Sequence, residues 1–215
     1  LYLLTDDALH IPDRPTAQQI KEAINTLWMP FSAFRFATPG DAGAHLSGLL
    51  TAVSRATLPT APMPVYSAPV QGSGKTKLAE CLFVLQRGER AEPMPIPTGA
   101  HGEEEFRKLL LSALRGGDPA LFFDNVVGRL DSASLAALIT SGRLTGRVLG
   151  ASQMLKVDGR ALIVATSNNA TLGRDLARRA ILCYIDPATE TPHLTRYDFD
   201  PVRMTLQNRA VMVQA

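Results

Sequence analysis

The residues whose types and spacing most clearly suggest a binding site lie in the segment SAPVQGSGKTKLAE, residues 67–80. A triphosphate is held by several backbone N–H groups at a helix N-terminus, by a mobile cation and by a hydroxyl that coordinates Mg²⁺. Gly72 and Gly74 would let the backbone approach a phosphate closely. Lys75 would supply the cation and Thr76 the hydroxyl. The segment therefore predicts a nucleotide site with ATP and Mg²⁺ as its cofactors.

One position departs from the loop pattern G-x-x-x-x-G-K-[ST], because Pro69 stands where the first glycine is expected. Proline fixes φ at about −65° and has no N–H donor, so this residue can shape the turn but cannot donate to a phosphate. A purely structural turn is the alternative interpretation. We predict that the loop surrounds the nucleotide with Pro69, Val70, Gln71, Gly72, Ser73, Gly74, Lys75, Thr76 and Lys77.

A carboxylate follows a second apolar run. The segment PALFFDNV places Asp124 at the end of a buried strand, where it could hold Mg²⁺ together with Thr76. The next residue, Asn125, stands where many ATPases of this type carry a glutamate that polarises the attacking water. An amide can orient water but cannot take its proton. The catalytic base is therefore open, and the remaining candidates are Glu80, Glu103, Glu104 and Glu105.

Two more groups of polar residues follow later in the chain. ATSNN ends another apolar run with Asn168 and Asn169, whose amides could position a water or simply form a turn. LGRDLARRAI then presents Arg178 and Arg179 around a short helix. One of them could stabilise a transferred phosphoryl group while the other pairs with Asp175. A solvated basic surface is the alternative interpretation of the arginines.

The elements that must position these residues alternate short apolar runs with helical segments. Continuous apolar strands alternating with helices indicate a parallel sheet covered on both faces, with ligands at the carboxyl ends of the strands. We predict an α/β fold with a five-stranded, mostly parallel sheet between helices and with an N-terminal helical preface. The five predicted strands are 64–68, 93–97, 120–124, 160–167 and 180–186.

The chain divides into three predicted segments. Residues 1–62 form a helical segment that packs on the core, with helices at 16–29 and 42–56, and residues 63–190 form the core. Residues 191–215 form a connection and the start of a C-terminal helix. The first residue is not Met, which favours a piece of a longer protein whose C-terminal lid is absent or truncated.

A basic segment, residues 142–160, precedes the fourth predicted strand. Its glycines and apolar residues predict an inserted hairpin or loop. Its cations could bind the backbone of single-stranded or forked DNA in a salt-dependent and largely sequence-independent manner. The net charge of +2 is too small to indicate nucleic acid by itself. The predicted nucleic-acid contacts are Arg143, Arg147, Lys156 and Arg160.

The composition restricts the class of protein. The chain has 215 residues, of which 46% are hydrophobic and 20% charged, as is usual for a soluble globular domain. Cys81 and Cys183 lie far apart and the four histidines are scattered, so neither a disulfide framework nor a zinc site is indicated. No apolar run is long enough to span a membrane and no signal peptide opens the chain. We therefore expect a cytoplasmic protein without a membrane partner.

The order GSGKT, LFFDN, TSNN, DLARR and PHLTRYDF resembles the ATPase domain of the AAA+ class. The likeness covers about residues 25–210 and is strongest to the helicase portion of phage, plasmid and integrative-element primase-helicases. It implies that segment 142–160 is a pre-sensor hairpin and that the chain forms a hexameric ring with ATP between subunits. It also implies these roles: Walker A for Lys75 and Thr76, Walker B for Asp124, sensor 1 for Asn168 or Asn169, and an arginine finger offered to a neighbouring subunit for Arg178 or Arg179.

These features predict an ATP-hydrolysing motor domain of a DNA helicase or primase-helicase from a mobile element. One alternative is a nucleotide-sensing regulatory or scaffold module with little hydrolysis, because Asn125 replaces the usual glutamate. Another is a small-molecule kinase, although the sequence lacks a cluster of substrate-lid arginines after the third predicted strand.

Overall fold

The computed structural model describes residues 12–147, 154–194 and 198–215. The helices are α1 (Ala17–Trp28), α2 (Pro39–Ser54), α3 (Lys75–Arg87), α4 (Gly102–Arg115), α5 (Ala133–Ser141), α6 (Arg174–Ala177), α7 (Pro201–Gln207) and α8 (Arg209–Gln214). The strands are β1 (Met63–Ala68), β2 (Ala120–Val126), β3 (Arg129–Leu130), β4 (Arg143–Arg147), β5 (Met154–Asp158), β6 (Leu162–Asn168), β7 (Thr171–Leu172) and β8 (Ala180–Tyr184).

A four-stranded parallel sheet in the order β2-β6-β1-β8 forms the centre of the fold. All six residues of β1 are buried, as expected for a strand covered on both faces. Two short pairings lie outside this sheet: β3 is parallel to β7, and β4 is antiparallel to β5. The predicted α/β class and the mostly parallel sheet are therefore confirmed, and β1, β2 and β6 end at the same edge.

The prediction of a fifth strand at residues 93–97 is wrong. Pro93 forms one parallel bridge with Phe122, and the Met94 N–H donates to the Phe122 carbonyl at 2.7 Å. The pattern PMPIP has proline at every second position, and proline has no N–H to continue a ladder. The segment therefore follows the free edge of β2 without becoming a strand.

Helices cover both faces of the sheet, and the alternating residues of β2 contribute to the two cores. Phe122 packs against Phe83 of α3, with ring centroids 5.2 Å apart, in the core that also includes residues of α1, α2, α7 and α8. Phe123 packs against Phe106 of α4 at 5.3 Å, in the core that includes residues of α5 and α6. Burial of both apolar faces is the main stabilising contribution to the sheet.

The N-terminal helices form as predicted. Thr16 and Gln19 form the capping box of α1, and Thr38 caps α2, which begins at Pro39 rather than at residue 42. Both helices pack onto the sheet around His45, whose ring lies 4.3 Å from the Phe31 ring. The segment boundaries predicted at residues 62 and 190 stay predictions. No helix in the three described ranges is long and apolar enough to cross a membrane.

The basic segment contains the predicted hairpin. Its strands pair in antiparallel register from Arg143 opposite Asp158 to Arg147 opposite Met154. Buried Leu144 anchors the hairpin in the core beside α4 and α5. Residues 148–153 of the predicted segment lie outside the described residues.

Candidate nucleotide-binding site

The glycine-rich loop connects the end of β1 at Ala68 to the start of α3 at Lys75. Gly72 and Gly74 have φ of 75° and 89°, in the left-handed region that favours glycine. A Cβ on Gly74 would also lie 2.6 Å from Cε1 of Phe34. Both glycines are thus required by the backbone, and the turn brings the loop to the positive N-terminal end of a buried helix.

Two side-chain contacts close the loop on itself. The Ser73 hydroxyl and the Lys75 ammonium both donate to the carbonyl of Val70, the ammonium at 3.2 Å. Pro69 and Gln71 are exposed at the surface of the turn. Burial lowers the pKa of Lys75, and the nearby Asp124 carboxylate opposes this shift. The ammonium is therefore partly desolvated, which strengthens its attraction to an incoming anion.

The predicted metal ligands meet as the spacing implied. The Thr76 hydroxyl donates to Oδ1 of Asp124 at 3.0 Å, which joins the start of α3 to the end of β2. A residue that the sequence analysis missed, Thr166 of β6, donates to the same oxygen at 2.6 Å. The backbone N–H of Asn125 donates to Thr166 Oγ1 at 2.8 Å.

This donor set fits Mg²⁺, a hard cation that prefers oxygen ligands. Thr76 and Asp124 supply a hydroxyl and a carboxylate next to a loop suited to phosphates. Across the described ranges no group of three or more His, Cys, Asp or Glu residues could hold a metal alone. That is compatible with Mg²⁺, which binds through one or two carboxylates together with substrate phosphates.

The two asparagines occupy different positions at the end of β6. Asn168 pairs with Ala68 of β1, and its side-chain oxygen is buried without a hydrogen-bond partner among the described residues. Asn169 is exposed, has φ of 51°, and donates its N–H to the Ala68 carbonyl at 3.2 Å. Since side chains alternate along a strand, Asn168 shares a face with Thr166. Asn168 is thus the better placed of the two amides.

Arg178 and Arg179 lie away from this loop. The Met63 N–H donates to the Arg179 carbonyl at 2.9 Å, so both arginines sit at the amino ends of β1 and β8. The Arg179 side chain, 29% exposed, donates to the Thr140 hydroxyl and to the Asp175 carbonyl. Among the described residues, the Arg178 side chain, 71% exposed, has only a surface ion pair with Asp175 at 2.9 Å. Arg178 is therefore the freer of the two to reach another chain.

The four glutamates considered as bases each contact a neighbouring residue. Glu80 pairs with Arg90 at 3.6 Å, and burial raises its pKa. Glu103 accepts the Ser134 N–H at 2.7 Å near the start of α5. Glu104 and Glu105 both pair with Lys108, at 3.0 and 2.8 Å. Glu103 also lines the same cavity as Asp124 and Asn125, so it stays a candidate for the base.

Two cavities flank the loop and the end of β2. The first, of about 430 Å³, is lined by the loop glycines, Phe34, Phe199, Lys77 and Asp200. Lys77, predicted as a phosphate contact, forms an ion pair with Asp200 at 3.0 Å. The second, of about 470 Å³, is bordered by Asp124 and Asn125. Phe34, Phe199 and Asp200 were missed because they come from distant parts of the chain and carry no local motif.

The predicted nucleic-acid residues lie on the two strands of the hairpin and just after it. Arg143 pairs with Asp158 at 3.1 Å, and Arg160 donates to the Ala56 carbonyl at 3.4 Å. Lys156 is exposed on β5, whereas the side chain of Arg147 lies outside the described part of the structure. A further cation that the sequence analysis missed, Arg107 of α4, donates to the Thr145 carbonyl on β4.

Comparison with known proteins found no matching family model and no matching curated protein. Among solved structures, the fold is similar to the A form apo structure of the NrS-1 C-terminal region, with a TM-score of 0.53 at 13% identity. The match covers 95% of this chain and 45% of that chain, so this chain spans less than half of its length. At this identity the likeness establishes fold alone. The chain thus shares its α/β fold, over nearly all of its own length, with the NrS-1 C-terminal region.

Proposed function

We propose that this chain is the ATP-binding and ATP-hydrolysing motor region of a DNA helicase or primase-helicase from a mobile element. The observation that carries the proposal is the hydrogen bond between Thr76 and Asp124, which joins the glycine-rich loop to a strand-end carboxylate. The order of motifs resembles AAA+ primase-helicases, and the fold shared with the NrS-1 C-terminal region is compatible with that resemblance.

The residues of the loop would bind the phosphates. Backbone N–H groups between Gly72 and Thr76 would donate to them, and Lys75 would exchange the Val70 carbonyl for a phosphate oxygen. Thr76 and Asp124 would hold Mg²⁺, whose contribution when bound is to neutralise phosphate charge. Asn168, whose buried side-chain oxygen has no partner within the described part of the chain, would orient the attacking water.

The cavity beside the loop would receive the nucleoside. Phe34 and Phe199 line it and offer aromatic surface to a base, next to the glycines that would face the phosphates. Its volume of about 430 Å³ lies in the range usual for small-molecule sites. In this arrangement the base and the phosphates lie on either side of Gly74.

DNA would bind at the hairpin, in a ring of subunits. Lys156 on β5 and Arg107 at the side of β4 carry positive charge that could contact phosphates without reading sequence. Arg178 of one subunit would contact the nucleotide of its neighbour.

The test is the substitution Lys75→Ala. Loss of a preorganised cation at the reacting phosphate should lower ATP turnover by about 10² to 10³-fold. Turnover would be measured with and without single-stranded DNA, and nucleotide binding by fluorescence titration. Lys21→Ala, on the exposed surface of α1, is the matched control. Unchanged turnover in Lys75→Ala would refute the proposed site.

A second candidate function is a nucleotide-sensing module with little hydrolysis. The observation in its favour is that Asn125 follows Asp124, while Glu80, Glu104 and Glu105 are paired with cations. Tight ATP binding by the wild-type chain, with slow turnover that DNA does not stimulate, would favour this candidate over the motor.

A further inference from the structure

The pairing between β2 and β6 is interrupted by a bulge next to the candidate metal ligand. Phe123 lies opposite Ala165, but the next pair joins Val126 to Ser167. Two residues of β2, Asp124 and Asn125, therefore face the single residue Thr166 of β6. A bulge leaves a backbone group without its ladder partner and re-aims the neighbouring side chains.

The hydroxyl of Thr166 fills this bulge. It accepts the Asn125 N–H at 2.8 Å and donates its only proton to Asp124 Oδ1 at 2.6 Å. A hydroxyl can do both at once because it carries one donor and two acceptor lone pairs. The residue is 1% exposed, so water cannot easily replace it. One side chain thus replaces the missing ladder bond and orients the carboxylate.

The backbone conformation of Asn125 adds a second constraint. Its φ of 52° is uncommon for a residue other than glycine and needs support from surrounding contacts. The hydrogen bond to Thr166 supplies such support on one side of the residue. On the other side, Asp124 is bound to Thr76, so α3, β2 and β6 converge on one carboxylate oxygen.

We infer that Thr166 is a positioning residue that fixes the Asp124 carboxylate and the left-handed backbone of Asn125 as one unit. It acts on the metal and nucleotide only through Asp124 and Asn125. This inference rests on the proposed function for its consequence in catalysis. Its structural content, the coupling of the bulge to the carboxylate, does not depend on hydrolysis.

The experiment compares three substitutions with the wild-type chain. Thr166→Val keeps the shape of the side chain and removes the hydroxyl, whereas Thr166→Ser keeps the hydroxyl. Ser167→Ala is the matched control, because Ser167 is also buried and donates to β2, at the Val126 carbonyl, 2.8 Å away. Thermal unfolding checks that each variant is folded.

Two readouts are used besides turnover. Amide hydrogen exchange over residues 121–128, in the protein without nucleotide, should be faster in Thr166→Val only. Mn²⁺ affinity in the presence of ADP, measured by electron paramagnetic resonance, should fall by about 10 to 100-fold in the same variant, as is typical when support for a metal ligand is lost. The Mg²⁺ concentration for half-maximal turnover should rise in parallel, with a smaller change in KM for ATP.

The inference would be overturned if folded Thr166→Val had the same amide exchange rates and Mn²⁺ affinity as the wild-type chain. Equal defects in Thr166→Val and Thr166→Ser would also overturn it. Absence of ATP turnover by the wild-type chain would instead count against the proposed motor. In that case the exchange rates of the nucleotide-free protein still decide the role of Thr166.

Discussion

The side chain at position 125 bears directly on the hydrolysis proposed for this site. Asn125 is exposed, borders the cavity of about 470 Å³, and immediately follows the carboxylate that binds Thr76. A carboxylate at this position could accept a proton from a water in that cavity, but the amide cannot. In the proposed site Asn125 would therefore orient water, and a proton would have to pass to another group, such as Glu103 on the same cavity.

Substitution of Asn125 by Glu should accelerate ATP hydrolysis. General base catalysis contributes about 10² to 10⁴-fold, so we expect kcat to rise by about 10²-fold. The measurement is single-turnover hydrolysis with saturating Mg²⁺. Asn125→Gln has nearly the same size without the carboxylate and should leave kcat near the wild-type value. Equal rates in the Glu and Gln variants would show that the base acts from another position.

The residues of the site differ in how visible they are in the sequence. Lys75 and Thr76 are identified by a local motif, and Asp124 by its place at the end of an apolar run. Thr166 has no such signature, because its role depends on a bulge between two strands that are far apart in sequence. Long-range register is thus the information that the sequence pattern does not carry.

Elements were predicted well where hydrophobic periodicity and capping agreed. The capping box of α1 and the strand-to-helix turn at Gly74 are examples, since both depend on adjacent residues. The error at residues 93–97 has the opposite origin. The run is apolar enough for a strand, but its prolines remove the donors that pairing requires.

The N-terminal helices are joined to the sheet through a buried histidine. Nδ1 of His45, on α2, lies 2.7 Å from the Tyr66 hydroxyl oxygen on β1. The imidazole ring is surrounded by Trp28, Phe31 and Phe36. Burial lowers the pKa of His45 to about 3. The neutral imidazole is therefore part of the packing between α2 and the sheet, and protonation would place a charge in an aromatic core.

The fold should lose stability in acid because of His45. The unfolded chain takes up a proton on this residue below about pH 6.5, whereas the folded chain does so only near pH 3. The stabilisation is complete above the unfolded pKa and declines as the pH falls toward the folded pKa. Between pH 7 and pH 4 we expect a loss of about 3 kcal/mol in the free energy of unfolding.

Urea denaturation at these two pH values measures the effect. The double variant His45→Phe/Tyr66→Phe removes the titrating ring together with its hydroxyl partner, so no new unpaired group is buried. Its free energy of unfolding should fall less on acidification than that of the wild type. An identical decline in both proteins would assign the acid sensitivity to other groups.

At the scale of the whole molecule, the glycine-rich loop and the arginines lie at opposite ends of the parallel strands. The loop follows the carboxyl end of β1, and Arg178 precedes the amino end of β8. A strand of six residues separates these ends by roughly 20 Å. Arg178 therefore cannot reach the candidate nucleotide site of its own chain in this conformation.

Mixing two inactive variants tests whether Arg178 acts between chains. Arg178→Ala and Lys75→Ala should each hydrolyse ATP more slowly than the wild type. For Arg178→Ala, the loss of an arginine finger should lower kcat by about 10³-fold or more. Their mixture should regain part of the activity, because Lys75 of one chain meets Arg178 of the other.

Arg179→Ala serves as the comparison for this mixing experiment. It removes the contacts with Thr140 and the Asp175 carbonyl and should mainly lower the melting temperature. A folded Arg178→Ala protein with full activity, or a mixture without any recovery, would contradict a role between chains.

The opposite placement of loop and arginine also bears on the symmetry of assembly. If Arg178 acts between chains, the loop of each chain receives an arginine from one neighbour and its own Arg178 is offered to a neighbour. A two-fold axis across the strands satisfies both contacts within one pair, whereas a head-to-tail arrangement joins each loop to the arginine of the next subunit. An open row of such subunits always has one incomplete nucleotide site at its end, and closure of the row into a circle removes that vacancy.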